Sequence, residues 1–128
     1  MPSYKLYKIL HLTGVVLACM TTGAFAYHAL LGGTKEAAGR ARKMLLGGHG
    51  VGLLLILIGG MGAGATAGLF GAGLPWWVSI KLALWMALGA LPALPYRRPG
   101  SAAHILWIVP VLVALGAWAA GGFMALTR

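Results

Sequence analysis

Four long apolar runs, separated by short polar or glycine- and proline-containing connections, organise the chain. They extend from about Tyr4 to Leu31, Met44 to Leu69, Trp76 to Pro95 and Ala102 to Leu126. A helix needs roughly 20 consecutive apolar residues to cross a bilayer, and each run reaches that length. The pattern therefore predicts an all-α fold, an integral membrane bundle of four transmembrane helices. Residues 1–128 are taken up by these spans and their connections, which predicts one domain with almost no soluble mass.

The connections differ in character. The first is basic, Lys35-Glu36-Ala37-Ala38-Gly39-Arg40-Ala41-Arg42-Lys43, and is expected to be a loop. The second, Phe70-Gly71-Ala72-Gly73-Leu74-Pro75, is uncharged and leads into Trp76-Trp77, at the depth where aromatic belts lie. The third is the basic turn Tyr96-Arg97-Arg98-Pro99-Gly100-Ser101. Ala24-Phe25-Ala26 imitates a signal-peptidase site, but the apolar run continues past it to Leu31, which suits a span better than a signal region.

Composition sharpens this picture. Hydrophobic residues make up 60% of the chain, and Glu36 is the single acidic side chain. A net charge of +9 would suggest nucleic acid in a soluble protein. Here the cations stand between or at the ends of apolar runs, where they set topology, and nucleic-acid binding is discounted. Lys35, Arg40, Arg42, Lys43, Arg97 and Arg98 lie on the side of the first and third connections and outnumber Lys5, Lys8 and Arg128 on the side of the termini. The positive-inside rule then places both termini on the non-cytoplasmic side of a bacterial-type inner membrane. Cys19, in the middle of the first span, reads as a small core residue.

Gly48, Gly52, Gly60, Gly64 and Gly68 recur at four-residue spacing in the second run, broken only by Ile56. In lipid, small residues mark the faces along which helices approach closely, so this row predicts a central packing helix or a contact with a second copy. Asn, Gln and Asp are absent, which removes the usual side chains of an ion pathway.

Polar groups inside a membrane are costly, and His11, His28, His49, His104 and Lys81 are where function is to be sought. At ~1.5 Å of rise per residue, His28, His49 and His104 share the side of the basic connections, and His11 stands roughly 20 Å from them along the membrane normal. His11 has a different companion in Lys81, which lies about one turn into the third span on the side of the termini. Lys81 either carries its ammonium back to the interface or pairs with an anion such as a haem propionate, a quinone oxygen or a lipid phosphate. His104 suits an interfacial role.

Haem b in a helical bundle requires axial nitrogens with small residues beside them, and His49 lies among Gly47, Gly48, Gly50 and Gly52. By depth the intrachain pair is His28 with His49; the alternative is two copies of His11 across a dimer axis. His11, His28 and His49 are accordingly the candidate metal ligands, joined by Lys81 as a cofactor-binding residue. Scattered Met in apolar helices is packing more often than thioether ligation. Paired carboxylates, nucleophile–acid sets and phosphate-cradling loops are absent from the sequence, so any catalysis would be a bound cofactor's.

Tyr7-Lys8-Ile9-Leu10-His11-Leu12 opening the first span, His49 early in the second, Trp77-Val78-Ser79-Ile80-Lys81-Leu82-Ala83-Leu84 in the third and Arg97-Arg98 after it resemble the SirB-type family. Its broader relatives are the CopD copper-resistance domain and the HemJ-like membrane proteins. The HemJ-like resemblance implies haem and porphyrinogen oxidation with His11 and Lys81 as key positions; the CopD likeness implies copper movement. The chain is shorter than the HemJ pattern and has no Met-rich or His-rich copper motif. The expected function is a small haem-b-binding membrane protein in electron transfer or accessory to a respiratory or haem-synthesis complex. Its alternatives are a cofactor-free structural or assembly subunit, as a homodimer or in a larger membrane complex, and a copper-handling protein.

Overall fold

The computed structural model describes residues 3–126. Helix α1 spans Tyr4–Leu30, α2 Lys35–Thr66, α3 Trp76–Ala90, the short α4 Leu94–Arg97 and α5 Ala102–Leu126. Single 3-10 turns lie at Leu91–Ala93 and Pro99–Ser101. Four helical segments are long and apolar enough to cross a membrane: Tyr4–Leu30, Lys35–Thr66, Trp76–Arg97 and Ala102–Ala119. Large apolar side chains such as Ile9, Val16, Met20, Leu54, Ile58, Met86, Trp107 and Trp118 point outward and are exposed. That arrangement is stable only against lipid, and the protein is an integral membrane bundle of four transmembrane helices.

The helix ends follow from local chemistry. Ser3 caps α1 by accepting from the Leu6 amide at 3.3 Å, and Thr34 caps α2 by accepting from the Ala37 amide at 3.1 Å. The first two helices close in the same way. Gly32 and Gly68 adopt positive φ, of 82° and 71°. Their amides return to Ala29 and Ala65, and the following amides of Gly33 and Leu69 return to His28 and Gly64. This is the Schellman closure, which requires a left-handed residue that glycine supplies without steric cost.

Two boundaries differ from the expectations of the sequence. The basic segment 35–43 is helical rather than a loop, interrupted only at Gly39 with φ 51° and ψ −126°. Lys, Glu, Ala and Arg are good helix formers, and Thr34 with Glu36 behind it supplies the start signal. The third span runs slightly past the expected end at Pro95, to Arg97: α3 ends at Ala90, and Pro92 and Pro95 occupy the first turns of the two short helical elements that continue it.

The tightest packing joins α1 to α2, antiparallel, and glycines define it. A Cβ on Gly52 would stand 3.0 Å from the Ala18 amide and the Gly14 carbonyl; one on Gly59 would strike the backbone of His11 and Tyr7; one on Gly62 would strike the Tyr7 ring. Gly48 faces Thr21 at 3.5 Å in the same sense. The seam on α2 is therefore Gly48, Gly52, Leu55, Gly59 and Gly62, opposite Thr21, Ala18, Gly14, His11 and Tyr7. Its alternating four- and three-residue steps keep one stripe facing a partner helix, which a strict four-residue row does not. The expected row is correspondingly divided: Gly60 faces the His11 ring, Gly64 faces Phe70 and Gly68 closes the helix. Across the bundle Ala26, Ile105 and Val109 form the core between α1 and α5, with Cys19, Leu91 and Leu106 packed against it.

Candidate functional site

On the side of the chain termini α3 stands off from α1 and α2 and leaves a cavity of about 470 Å³. Four helices line it. The α1 wall is formed by Tyr4, Lys8, His11, Leu12 and Val15; the α3 wall by Trp77, Lys81, Leu84, Trp85 and Leu88. Small residues of α2 and α5, among them Gly60, Ala63, Gly64, Gly116 and Ala117, complete the lining. The surface is apolar apart from Lys8, His11 and Lys81, the rim tyrosine and the tryptophan indoles. A smaller adjoining cavity of about 90 Å³ is also lined by both His11 and Lys81, together with Met61 and Phe70.

The ring of His11 is fixed by one hydrogen bond, from Nδ1 to the Ile56 carbonyl oxygen at 2.8 Å. A carbonyl can only accept, so Nδ1 carries the proton and Nε2 keeps its lone pair. Gly60 allows this approach, because a side chain there would press on Nδ1 and Cε1. An imidazole tied back through Nδ1 to a carbonyl, with Nε2 unprotonated, is prepared for a metal or a hydrogen-bond donor. Lys81 lies on the opposite wall, half-buried. With Glu36 exposed on the first connection, no carboxylate among the described residues accompanies Lys81 or Lys8. The nearby indole of Trp85 donates to the Leu53 carbonyl at 2.9 Å and ties α3 to α2 beside the cavity.

His49 occupies a different place. It is buried, and both ring nitrogens are engaged: Nε2 with the Leu88 carbonyl at 3.2 Å and Nδ1 with the Thr21 hydroxyl at 2.9 Å. Because Leu88 offers only an acceptor, Nε2 holds the proton; the Thr21 hydroxyl that faces Nδ1 also stands 3.0 Å from the Leu17 and Ala18 carbonyls, so its single proton is shared among these acceptors. Both nitrogens thus face groups of neighbouring helices rather than a cavity. His49 is a clasp that joins α2 to α1 and α3.

His28 bonds through Nδ1 to the Tyr96 hydroxyl at 2.8 Å, and its ring packs over Gly33. The expected pairing of His28 with His49 does not form. His49 is held at the level of Thr21, and His28 lies seven residues further along α1, about 10 Å along the helix axis. His104 is exposed, and its ring bonds through Nδ1 to the Gly100 carbonyl four residues back, at 3.3 Å. Among the described residues no group of three or more His, Cys, Asp or Glu side chains converges as a metal site.

No family model, curated protein or solved structure matches the chain. Of the residues singled out from the sequence, His11 and Lys81 share one cavity, whereas His28 and His49 belong to separate contacts. Tyr4, Lys8, Trp85 and the Leu88 carbonyl were not singled out. One signal for the last was present: Pro92, four residues on, has no amide to give it.

Proposed function

We propose that this chain is a small membrane protein that binds an apolar, anionic planar ligand in the cavity of His11 and Lys81, and that the ligand is haem b. The observation that supports it is the state of His11: Nδ1 is committed to Ile56 and Nε2 is left for a ligand, in a cavity with two uncompensated lysines. The cavity fits the group in three respects. His11 Nε2 would hold the iron, glycine and alanine on α2 and α5 leave flat space, and Lys8 and Lys81 would pair with the carboxylates. When bound, haem supplies one-electron chemistry; the protein's share is to bind, orient and exclude water. In this reading the protein lies in an inner membrane with its termini on the non-cytoplasmic side, as the basic connections favour, and serves electron transfer or a respiratory or haem-synthesis assembly.

The test is the visible spectrum of the detergent-purified protein, oxidised and then reduced, with a pyridine haemochrome count. A Soret band lost in His11→Ala, with helical circular dichroism unchanged, is the expected result. A colourless protein after haem is supplied during expression overturns the reading and favours a cofactor-free docking subunit or a copper carrier.

A further inference from the structure

At the end of the bundle remote from the cavity, Lys35, Arg40, Arg42, Lys43, Arg97 and Arg98 gather where α1 closes, α2 begins and α4 ends. All except the half-buried Arg42 are exposed. Glu36 is the only carboxylate side chain in the chain, so this field is almost uncompensated. The cluster also has a fixed centre. Tyr96 is held by the 2.8 Å bond to His28 and by an edge-on contact with Phe25, with ring centroids 6.0 Å apart. Arg42 stands within electrostatic reach of the Tyr96 phenol, and Arg97 and Arg98 follow Tyr96 directly. Apolar side chains on the neighbouring turns, Tyr27, Leu30, Met44 and Leu94, are exposed.

Cations over an exposed apolar collar match the two halves of a lipid, phosphate above and acyl chain below. Guanidinium suits phosphate because its planar fork donates two parallel hydrogen bonds. We propose that Arg42, Arg97 and Arg98, set around the Tyr96–His28 pair, form a docking surface for the phosphate of an anionic phospholipid in the adjacent leaflet. The inference is independent of the haem reading, since it uses other residues at the opposite end of the bundle.

The experiment is thermal unfolding of the full-length protein in mixed micelles of detergent with either phosphatidylglycerol or phosphatidylcholine. Phosphatidylglycerol is expected to raise Tm by about 4 °C or more beyond phosphatidylcholine. The increment should disappear in the triple variant Arg42→Gln, Arg97→Gln, Arg98→Gln and persist in part in the corresponding Lys variant. If the Gln variant does not fold, the comparison of the two lipids on the unaltered protein, with the Lys variant, still decides. Equal shifts with both lipids, or an increment that survives the Gln substitutions, overturns the proposal. The same shift with soluble glycerol phosphate overturns the lipid assignment and indicates a free-phosphate site.

Discussion

The imidazole of His49 donates from Nε2 to the carbonyl oxygen of Leu88, 3.2 Å away, across two helices. That carbonyl is the one Pro92 leaves without its helical donor, since residue i+4 normally supplies the amide. An unpaired carbonyl inside a membrane is costly, and His49 satisfies it while Thr21 faces the other ring nitrogen. The break at the end of α3 and the histidine on α2 are thus two parts of one hydrogen-bonding solution. The histidine that looked best placed for ligation, among four glycines, is instead held there because glycines let its helix approach α1.

Replacing His49 by Ala should therefore act on stability and leave the cavity chemistry in place. The variant loses two interhelical bonds and strands the Leu88 carbonyl, for about 1–3 kcal/mol. Unfolding in mixed detergent micelles measures the loss, and haem retention measures the site. Reduced stability with the Soret band kept is the expected result; normal stability with the band lost would return His49 to the ligands.

The α1–α2 seam predicts a contrast between two glycines of the same helix. A Cβ at Gly59 meets the backbone of His11 and Tyr7, which cannot move aside, so Gly59→Ala should destabilise by about 1–3 kcal/mol. Gly47 has nothing within 4 Å of such a Cβ. Gly47→Ala should be neutral or stabilising by up to ~1 kcal/mol, because alanine favours the helix. A clear loss for Gly59→Ala with none for Gly47→Ala in the same unfolding assay is the expected outcome. Equal effects would show that backbone approach does not set the seam.

Membrane class and the number of spans were legible because hydropathy over roughly 20 residues reports directly on the solvent. Depth counting brought His11 and Lys81 to one level, and they line one cavity. It failed for His28 and His49, because counting from the helix ends does not fix how far α2 slides along α1, and the packing sets His49 level with Thr21, about two turns short of His28. Thr21 and His28 each hold a partner from a different helix. The four-residue glycine row failed for a different reason. A stripe of period four winds around the helix, and only the mixed steps Gly48, Gly52, Leu55, Gly59 stay against α1. Helical propensity and the Thr34 cap were also readable in segment 35–43, but its charge density pointed to a loop.

Among the described residues, His11 is the single imidazole of the cavity. Haem held between two imidazoles would be low-spin, with split α and β bands on reduction, but this cavity is lined by the one. The reduced protein is expected to be high-spin and to shift its Soret band under carbon monoxide. A low-spin spectrum insensitive to carbon monoxide would require a second strong ligand, and its loss on dilution to monomers would locate that ligand on another copy.

Lys81 should show a conflict between stability and binding. It is half-buried on an apolar wall, and no carboxylate among the described residues stands beside it. In the ligand-free protein its ammonium is therefore a burden, and Lys81→Met should raise stability by about 1–2 kcal/mol. With a carboxylate-bearing ligand in the cavity the same charge becomes favourable, so the variant should retain less haem and gain less stability from it, while Lys81→Arg behaves like the original. Melting with and without added haem gives both quantities from one preparation. If Lys81 instead extends to the interface and leaves the cavity to its neighbours, the methionine variant will match the original protein in both states, and the cation assigned to the ligand's carboxylate must be Lys8 alone.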